Sequence, residues 1–540
     1  MGKGRLSRPP RHPEDGRPLE PIRPAKRTIL TQNRSPTQPA MDERSAFEFP
    51  PVATGILKVA LWSASAVVLV SFVVLAMAHA QDRFQIGWVQ GTRMALARYA
   101  NEGILFPPLY DGVNFGGTRF MPLPVLLHAG IARLTGEYLL SGKIASYLMS
   151  AIMFGLVFFL LKKLGCRNEI AVGLTATTAA TWAGFQAVLS IQGDTLPVVW
   201  QLGAIALVAH KPDRRSVAVS GAFCVLAILS KLSAVWAPLA IGVWLFMRRR
   251  DDLAWFIGSF LLLLTGALVL LQAASDGRMF ASLYELSFAG ISGPGRIVGA
   301  PLRAIGMASE AGPAYLVLMP FAVVGAVLAI RGGWGLYPLA LGFSVLTLLV
   351  ILLDEGALLN HFIDVAVLSV MAVGSLVAAR DGSKTTRSMI AALVGTAVVC
   401  GLLAFAGVTL KPQVIGAIET LRNGPGPLND PSPTAGWIRP GDRILAEDPY
   451  VVFASDRFPP VILDAWALLR LEHRHPEWIR DLAVRIEQRE FDLIVLSYSL
   501  DFQDWYSKVH LGQTIASAIG ENYRLAEEAG GYFIYAPADD

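Results

Sequence analysis

Two acidic residues and an arginine in one stretch of the chain could carry proton-transfer and phosphate-binding chemistry. Asp82 lies in AQDRFQIGW, and Asp111 and Arg119 lie in PPLYDGVNFGGTRFMPLP. A carboxylate can accept the proton of a hydroxyl or amine nucleophile, and the planar guanidinium group matches the oxygens of a phosphate. The competing interpretation makes Asp82 a solvated carboxylate and Arg119 an anchor at a membrane surface.

Polar residues that could contribute to such a site occur at three further places. Asp194 lies in SIQGDTLP, and Lys231 lies in the short turn LSKLS between two apolar runs. The segment DEGALLNHFID adds Asn360 and His361. Taken one at a time, each could be a helix cap or an exposed turn residue. They form a site only if the elements that carry them bring them to one face.

The elements that must position these residues are membrane-spanning helices. Hydrophobic residues make up 53% of the 540 residues and charged residues only 16%, whereas soluble domains carry about a quarter charged residues. Apolar runs of about 20 residues match the hydrocarbon thickness of a bilayer. The sequence therefore predicts an all-α polytopic membrane domain over residues 53–410, with about 11 transmembrane helices at 56–79, 144–161, 170–190, 195–209, 216–230, 232–247, 254–274, 313–330, 335–353, 362–379 and 388–410.

Basic residues give these spans an orientation. Lys and Arg cluster in alternate short loops, for example at 162–163, 214–215 and 248–250. The positive-inside rule places these loops, and with them the N-terminus, in the cytoplasm. Every candidate site residue then falls on the non-cytoplasmic side: Asp82, Asp111, Arg119, Asp194, Lys231, Asn360 and His361.

The remaining segments have distinct compositions. Residues 1–52 are basic and poor in apolar residues, so they are predicted to be a disordered cytoplasmic N-terminus. Long outer loops are predicted at 80–143 and 275–312. A Gly/Pro-rich linker at 411–440 leads to a small extracytoplasmic α/β domain at 441–540.

Short patterns within the outer segments predict individual elements. RILAEDP, DLIVLS and YFIYAP are typical of buried strands, while PEWIRDLAVRIEQREF and HLGQTIASAIGENY have the spacing of amphipathic helices. RIVGAPLRAIGMA, in the second long loop, predicts an amphipathic helix at the membrane interface.

Several other chemistries are disfavoured. The sequence contains no Walker motif, no GxSxG elbow and no metalloprotease helix, so an ATP-driven pump is disfavoured. The two histidines of HRH at 473–475 lack a further ligand cluster. A net charge of only +4 gives no case for nucleic-acid binding.

The order of these segments resembles the GT-C superfamily of membrane glycosyltransferases, which includes protein O-mannosyltransferases and bacterial aminoarabinose transferases. The resemblance covers most of residues 55–410 and is clearest over 80–250. It rests on an acidic residue just after the first span, the helix start FGGTRFMPLPVLLHAG, a D-x-L/P turn and an L-x-K turn. The family often has paired acids in its first loop, whereas Asp82 is followed by Arg83.

The resemblance implies roles for the candidate residues. Asp82 matches the family's catalytic base, and because the acidic pair is incomplete, Asp111 is a rival. The remaining positions match residues that bind the donor phosphate or substrate: Arg119, Asp194, Lys231, Asn360 and His361.

The activity implied is transfer of a sugar from a polyprenyl-phosphate donor to a glycan, lipid or protein acceptor, in a bacterial inner membrane. A single displacement with one base inverts the anomeric centre. Because basic side chains can hold the phosphate, no cofactor is required, and a divalent metal ion is compatible with such a site. The alternative is a transporter or flippase of a lipid-linked saccharide, although transporters usually place polar groups at the midplane rather than at one face.

Overall fold

A computed structural model describes residues 51–81, 89–210, 213–287, 294–331, 335–354, 357, 359–378, 384–424 and 432–538. The N-terminal segment predicted to be disordered lies outside these residues except for its last two positions. The helices of the first half are α1 (Pro51–Gln81), α2 (Val89–Asn101), α3 (Pro122–Thr135), α4 (Tyr138–Leu164), α5 (Asn168–Ala179), α6 (Trp182–Leu189), α7 (Thr195–His210), α8 (Arg214–Ser230), α9 (Trp236–Arg248) and α10 (Arg250–Ala274).

The second half of the helical region continues to residue 423. It comprises α11 (Arg278–Ser287), α12 (Pro294–Glu310), α13 (Pro313–Arg331), α14 (Leu336–Ile351), a 3₁₀ turn (Leu359–Phe362), α15 (Ile363–Ala378), α16 (Lys384–Phe405), a π-helical turn (Ala406–Leu410) and α17 (Lys411–Asn423).

The prediction of a multi-pass membrane protein is confirmed, but the number of eleven spans is not. Among the described residues, five helices are long and apolar enough to cross a bilayer: Val52–Gln81, Tyr138–Leu164, Arg250–Ala274, Leu359–Ala378 and Thr385–Asn423. Four shorter apolar helices accompany them. On α10, Leu262 and Leu270 are 73% and 70% exposed, as expected for side chains that face lipid rather than water.

The window predicted as a single span at 170–190 forms two short helices instead. Thr181 separates them, since its hydroxyl oxygen accepts a hydrogen bond from the backbone N–H of Gly184 and so caps α6. The backbone N–H of Trp182 donates to the carbonyl of Ala311 at 2.9 Å, outside its own helix. An apolar window shows that a segment is buried but not where its helix breaks.

The last apolar helix extends further than predicted. The linker expected at 411–440 includes α17 and α18 (Ser432–Trp437), while residues 425–431 lie outside the described part of the chain. Nothing between Phe405 and Asn423 stops the helix, which ends at Gly424, where φ is +80°.

The C-terminal region is the α/β domain that the sequence predicts. Its helices are α19 (Pro449–Ala454), α20 (Ala465–Arg474), α21 (Pro476–Glu487), α22 (Gln503–Lys508) and α23 (Gln513–Asn522), and its strands are β1 (Ile444–Ala446), β2 (Leu493–Leu496), β3 (Tyr523–Ala529) and β4 (Tyr532–Pro537). The sheet has the order β1-β2-β4-β3, with β1 parallel to β2 and the other pairs antiparallel.

This domain shares a core with the outer loops. Phe115 is buried with Leu445 and Leu468, and its backbone pairs with the segment before α20: its N–H donates to Val461 and its carbonyl accepts from Leu463. The described part of the long loop at 80–143 therefore packs with the C-terminal domain, and Arg470 of that domain pairs with Asp354, which follows α14.

Candidate functional site

The centre of the site is an ion pair between two helix ends. Lys231 follows the last residue of α8, and Asp194 precedes the first residue of α7. The Lys231 Nζ atom lies 2.7 Å from Asp194 Oδ1, and the carboxylate is only 6% exposed. A buried carboxylate is stable as an anion only when paired, so each residue requires the other.

The 3₁₀ turn before α15 supplies a further partner to each residue of this ion pair. Asn360 donates from Nδ2 to Asp194 Oδ2 at 2.7 Å, and Lys231 Nζ lies 3.0 Å from His361 Nδ1. Because an ammonium group can only donate, Nδ1 of His361 accepts, and the ring proton is therefore on Nε2. The imidazole is left with one N–H donor for a ligand.

Two arginines lie beside this network. Arg93 projects from α2 with its guanidinium 4.3 Å from the ring centre of Phe120. Arg119 lies just before α3, and its guanidinium is 3.6 Å from the ring centre of Trp466. The Nε atoms of both arginines are buried without a hydrogen-bond partner in the described part of the chain. We call Arg93, Arg119, Asp194, Lys231, Asn360 and His361 the basic centre.

Charge–charge interactions connect the members of the basic centre. Burial lowers the pKa of Arg93 to about 10, while Asp194 and Asp464 oppose the shift. Burial alone would raise the pKa of Asp194, but Lys231, His361 and Arg93 outweigh it, so that pKa lies below its ordinary value. At neutral pH the arginines are cations and Asp194 is an anion.

The C-terminal domain supplies part of the surroundings. Asp464 Oδ2 lies 3.8 Å from Arg119 Nε, and its other oxygen caps α20 by accepting from the Trp466 backbone N–H. Arg470, one turn further along α20, pairs with Asp354 at 2.7 Å. Asp464, Trp466 and Arg470 were not predicted from the sequence, since nothing in their local pattern indicates that α20 contacts the membrane domain.

Arg93 was also missed. It lies in GTRMALARYA, a stretch whose only sequence signal is an amphipathic helical pattern, and no spacing distinguishes it from the neighbouring Arg98. The turn at Gly193 explains its position: a Cβ atom added there would lie 2.9 Å from Arg93 Nη1. With φ at +68°, Gly193 also suits a left-handed turn.

An apolar groove borders Arg93. It runs between α3, α4 and the segment before α7, and its apolar lining includes Val125, Leu127, Ala145, Met149 and Leu196. Arg93 adds a positively charged side chain to this otherwise mostly apolar lining. The groove is small, with a cavity volume of about 30 Å³.

The two predicted bases have different outcomes. Asp82 lies outside the described residues. Asp111 lies in the first outer loop at an exposed turn, where its carboxylate accepts from the N–H groups of Val113 and Asn114 and from the Asn114 amide. Although partial burial opposes it, these hydrogen bonds lower the pKa of Asp111. The structure does not bring Asp111 into contact with the basic centre.

Among the described residues, no set of three or more His, Cys, Asp or Glu side chains comes together in a way that could hold a metal ion.

Comparison with known proteins identifies the fold. The chain matches no family model and no curated protein sequence. Among solved structures it is similar to ArnT from Cupriavidus metallidurans bound to undecaprenyl phosphate, with a TM-score of 0.56 and 12% identity over 91% of this chain and 99% of that one. The apo state of the same protein gives a TM-score of 0.55 over 90% and 98% of the two chains, again at 12% identity.

The chain therefore shares the fold of these ArnT structures. The resemblance read from the sequence is confirmed at the level of the fold, over nearly the full length of both chains. At 12% identity the similarity does not transfer an activity.

Proposed function

We propose that this protein is a membrane glycosyltransferase that uses a polyprenyl-phosphate-linked sugar donor. The observation that carries the proposal is the basic centre: Arg93, Lys231 and His361 lie around the buried carboxylate of Asp194. Half-buried Arg119 lies beside them, next to an apolar groove, in a fold shared with ArnT. Such an arrangement fits a ligand that joins a phosphate to a long apolar chain.

The donor would bind through its phosphate. Arg93 and Arg119 have unused Nε–H groups, Lys231 has a third N–H, and His361 has its Nε2–H. The small apolar groove between α3 and α4 would contact only the part of the isoprenoid chain next to the phosphate. The similar ArnT structure is bound to undecaprenyl phosphate, a molecule of the same chemical class.

The reaction would be a single displacement at the anomeric carbon. The acceptor oxygen or nitrogen forms a bond to that carbon while the bond from the carbon to the phosphate oxygen breaks. The acceptor proton passes to a carboxylate, and polyprenyl phosphate leaves with an additional negative charge. Arg93, Arg119 and Lys231 stabilise that charge as it develops, which is where preorganised cations contribute most to the rate. The product has the inverted anomeric configuration.

We propose Asp82 as the base and Asp111 as the less favoured alternative. The carboxylate of Asp111 is occupied by three hydrogen bonds within its own turn, and its lowered pKa makes it a weaker proton acceptor. Asp82 directly follows the end of α1, in the connection to the helix that carries Arg93.

The proposal requires no cofactor, since the basic side chains can hold the phosphate, and it is compatible with a divalent ion. Acceptors that fit are a glycan, a lipid or a protein on the non-cytoplasmic side. Turnover after exhaustive chelation with EDTA would support metal-independent transfer, and recovery only on addition of Mg²⁺ or Mn²⁺ would assign a metal requirement.

The experiment that tests the base compares two variants in reconstituted vesicles. We expect Asp82→Asn to reduce sugar transfer by at least about a hundredfold, which is the contribution of a positioned general base. Asp111→Asn is the matched control, and we expect it to retain most of the activity. Full turnover by both variants would contradict the proposed base.

The same vesicles separate an enzyme from the alternative, a transporter or flippase. A transporter would move the labelled polyprenyl-phosphate sugar between leaflets and leave its glycosidic bond intact. The enzyme would convert it to polyprenyl phosphate and a glycosylated acceptor.

A further inference from the structure

The C-terminal domain exposes aromatic rings at one place. Within residues 432–538, four large hydrophobic side chains are strongly exposed: Trp437, Tyr498, Phe502 and Leu525. Tyr498 and Phe502, at 45% and 54% exposure, lie beside the half-buried Trp505 in the loop and helix that follow β2. A cluster of exposed aromatic side chains outside the membrane domain is unfavourable in water unless something covers it.

The three rings form a surface. The ring centres of Phe502 and Trp505 are 6.5 Å apart, and their planes are inclined by only 13°. Tyr498 contacts both rings edge-on, at 5.9 Å and 5.3 Å. We call Tyr498, Phe502 and Trp505 the aromatic platform. The Phe502 and Trp505 rings are nearly parallel, and exposed aromatic rings stack on the C–H faces of the pyranose units in a glycan.

A buried carboxylate keeps this surface rigid. Glu447 accepts hydrogen bonds from Trp505 Nε1 at 3.4 Å and from the Tyr506 hydroxyl at 3.1 Å, and it also binds His510. The Tyr506 hydroxyl in turn accepts from the backbone N–H of Tyr498 at 2.9 Å. The platform therefore keeps its shape without a ligand, which lowers the entropic cost of binding one.

The position of the platform in the fold also points to a ligand. Strands β1 and β2 are parallel, and their carboxyl ends lead to Glu447 and to Tyr498, respectively. In α/β sheets, ligands bind in the crevice outside the carboxyl ends of parallel strands. The buried hydroxyl of Ser497, at the end of β2, has no hydrogen-bond partner among the described residues.

Charge indicates which ligand fits. Asp501 and Asp504 lie among the aromatic residues, and both are exposed. Carboxylates accept hydrogen bonds from sugar hydroxyls but repel phosphate groups and anionic headgroups. We propose that the aromatic platform is a docking site for a neutral oligosaccharide, which would be the acceptor glycan. The assignment as an acceptor rests on the proposed function, whereas the binding itself does not.

The test measures glycan binding by the full-length protein in nanodiscs, without any donor. Maltohexaose and chitohexaose are the neutral probes, and the hexasaccharide of polygalacturonic acid is the anionic probe. We expect a neutral probe to bind, the anionic probe to bind at least about tenfold more weakly, and Phe502→Ala to weaken neutral binding by about tenfold. Trp437→Ala, which removes another exposed aromatic ring of the same domain, is the matched control and should bind normally.

Three results would overturn the proposal. The first is that neither neutral probe binds. The second is that Phe502→Ala and Tyr498→Ala both bind a neutral probe as strongly as the wild type does. The third is that the platform inserts into lipid. Insertion is measured with a spin label attached to Phe502→Cys in a Cys400→Ser background. A label in lipid would be more accessible to oxygen than to a water-soluble nickel complex. Because no sugar transfer is measured, loss of glycan binding and failure of the proposed transferase activity give separate readouts.

Discussion

Arg93 is the side chain whose role depends most on its surroundings. It is a half-buried cation on α2, and Asp194 and Asp464 stabilise its charge. Its Nε atom is buried without an acceptor in the described part of the chain. Arg98, on the same helix, instead pairs with Glu102 at 3.4 Å and stacks on Phe458, with its guanidinium 4.4 Å from the ring centre. The two arginines therefore provide a matched comparison.

We predict that Arg93→Ala lowers sugar transfer by about a hundredfold or more, the range observed when one preorganised donor to a developing charge is removed. Arg98→Ala should stay within about twofold of the wild type in sugar transfer, because its contacts with Glu102 and Phe458 lie outside the basic centre. The measurement is kcat/KM with a polyprenyl-phosphate sugar in vesicles. Equal losses in the two variants would show that Arg93 has no special role.

The carboxyl group of Asp448 should make the stability of the protein depend on pH. Burial raises its pKa from 3.8 to about 7, although its bonds from the Tyr450 N–H and the Tyr532 hydroxyl oppose the shift, while neighbouring Glu447 adds to it. A folded state with the higher carboxyl pKa binds the proton more tightly than the unfolded state. The stability that this provides is complete below pH 3.8 and is lost as the pH rises toward 7.

We therefore predict that the unfolding temperature of Asp448→Asn exceeds that of the wild type most strongly above pH 7, with a difference that shrinks as the pH falls toward 4. Thermal unfolding of the full-length protein in detergent measures this. Asp492→Asn, at a half-exposed carboxylate, should show no such trend. A constant difference across the pH range would contradict the raised pKa of Asp448.

At the scale of elements, the contact between α2 and α19 determines where Arg93 lies. Gly91 faces the start of α19, where an added Cβ atom would clash with Asp448 Oδ1 and lie 2.8 Å from the Tyr450 backbone N–H. The C-terminal domain thus holds α2 in place through a residue without a side chain.

Replacing Gly91 with alanine should force the two helices apart. We predict a loss of about 1–3 kcal/mol in the free energy of unfolding, as is usual for overpacking, together with slower sugar transfer because Arg93 moves. Gly130→Ala on α3 is the control, since an added Cβ atom there meets nothing within 4 Å. A stable and fully active Gly91→Ala variant would contradict the tight contact.

The sequence predicted the elements that local patterns define. The strands around Leu445, Ile494 and Ile534 and the helices α21 and α23 were recognised because their apolar residues repeat with the period of a strand or a helix. β3 was missed because its solvent-facing run, LAEE, does not alternate as strands usually do. The break at Thr181 was missed because apolar composition continues through it.

The site was predictable only in part, for a related reason. Asp194, Lys231, Asn360 and His361 were identified because a polar residue between apolar helices is unusual, and the structure brings all four together. Arg93 lies on an amphipathic helix, where a polar residue is ordinary. Its importance comes from contacts with residues far away in the sequence.

At the scale of the whole molecule, the C-terminal domain covers the basic centre. Trp466 stacks on Arg119 and also lies 4.2 Å from the guanidinium of Arg470, which pairs with Asp354 of the membrane domain. The Arg119–Trp466 and Arg470–Asp354 contacts join residues more than a hundred positions apart, which is why no local pattern predicted them.

We predict that Arg470→Glu weakens the contact between the C-terminal domain and the membrane domain. Placing a like charge opposite Asp354 at a site where both partners are largely buried should cost on the order of 3 kcal/mol. Hydrogen–deuterium exchange should then increase in α20, and sugar transfer should slow. Arg480→Glu, at an exposed position on α21, is the control. Unchanged exchange in α20 would show that the pair does not hold the domain.

The most direct test of the central claim measures the lipid product. Purified full-length protein is incubated in vesicles with a polyprenyl-phosphate sugar labelled in the lipid and a mixture of candidate acceptors, and polyprenyl phosphate is quantified by mass spectrometry. The account predicts that the wild type releases it in step with glycosylated acceptor, and that Lys231→Met, which disrupts the basic centre, releases at least about a hundredfold less. An intact donor after many hours with the wild-type protein, or equal release by both proteins, would contradict it.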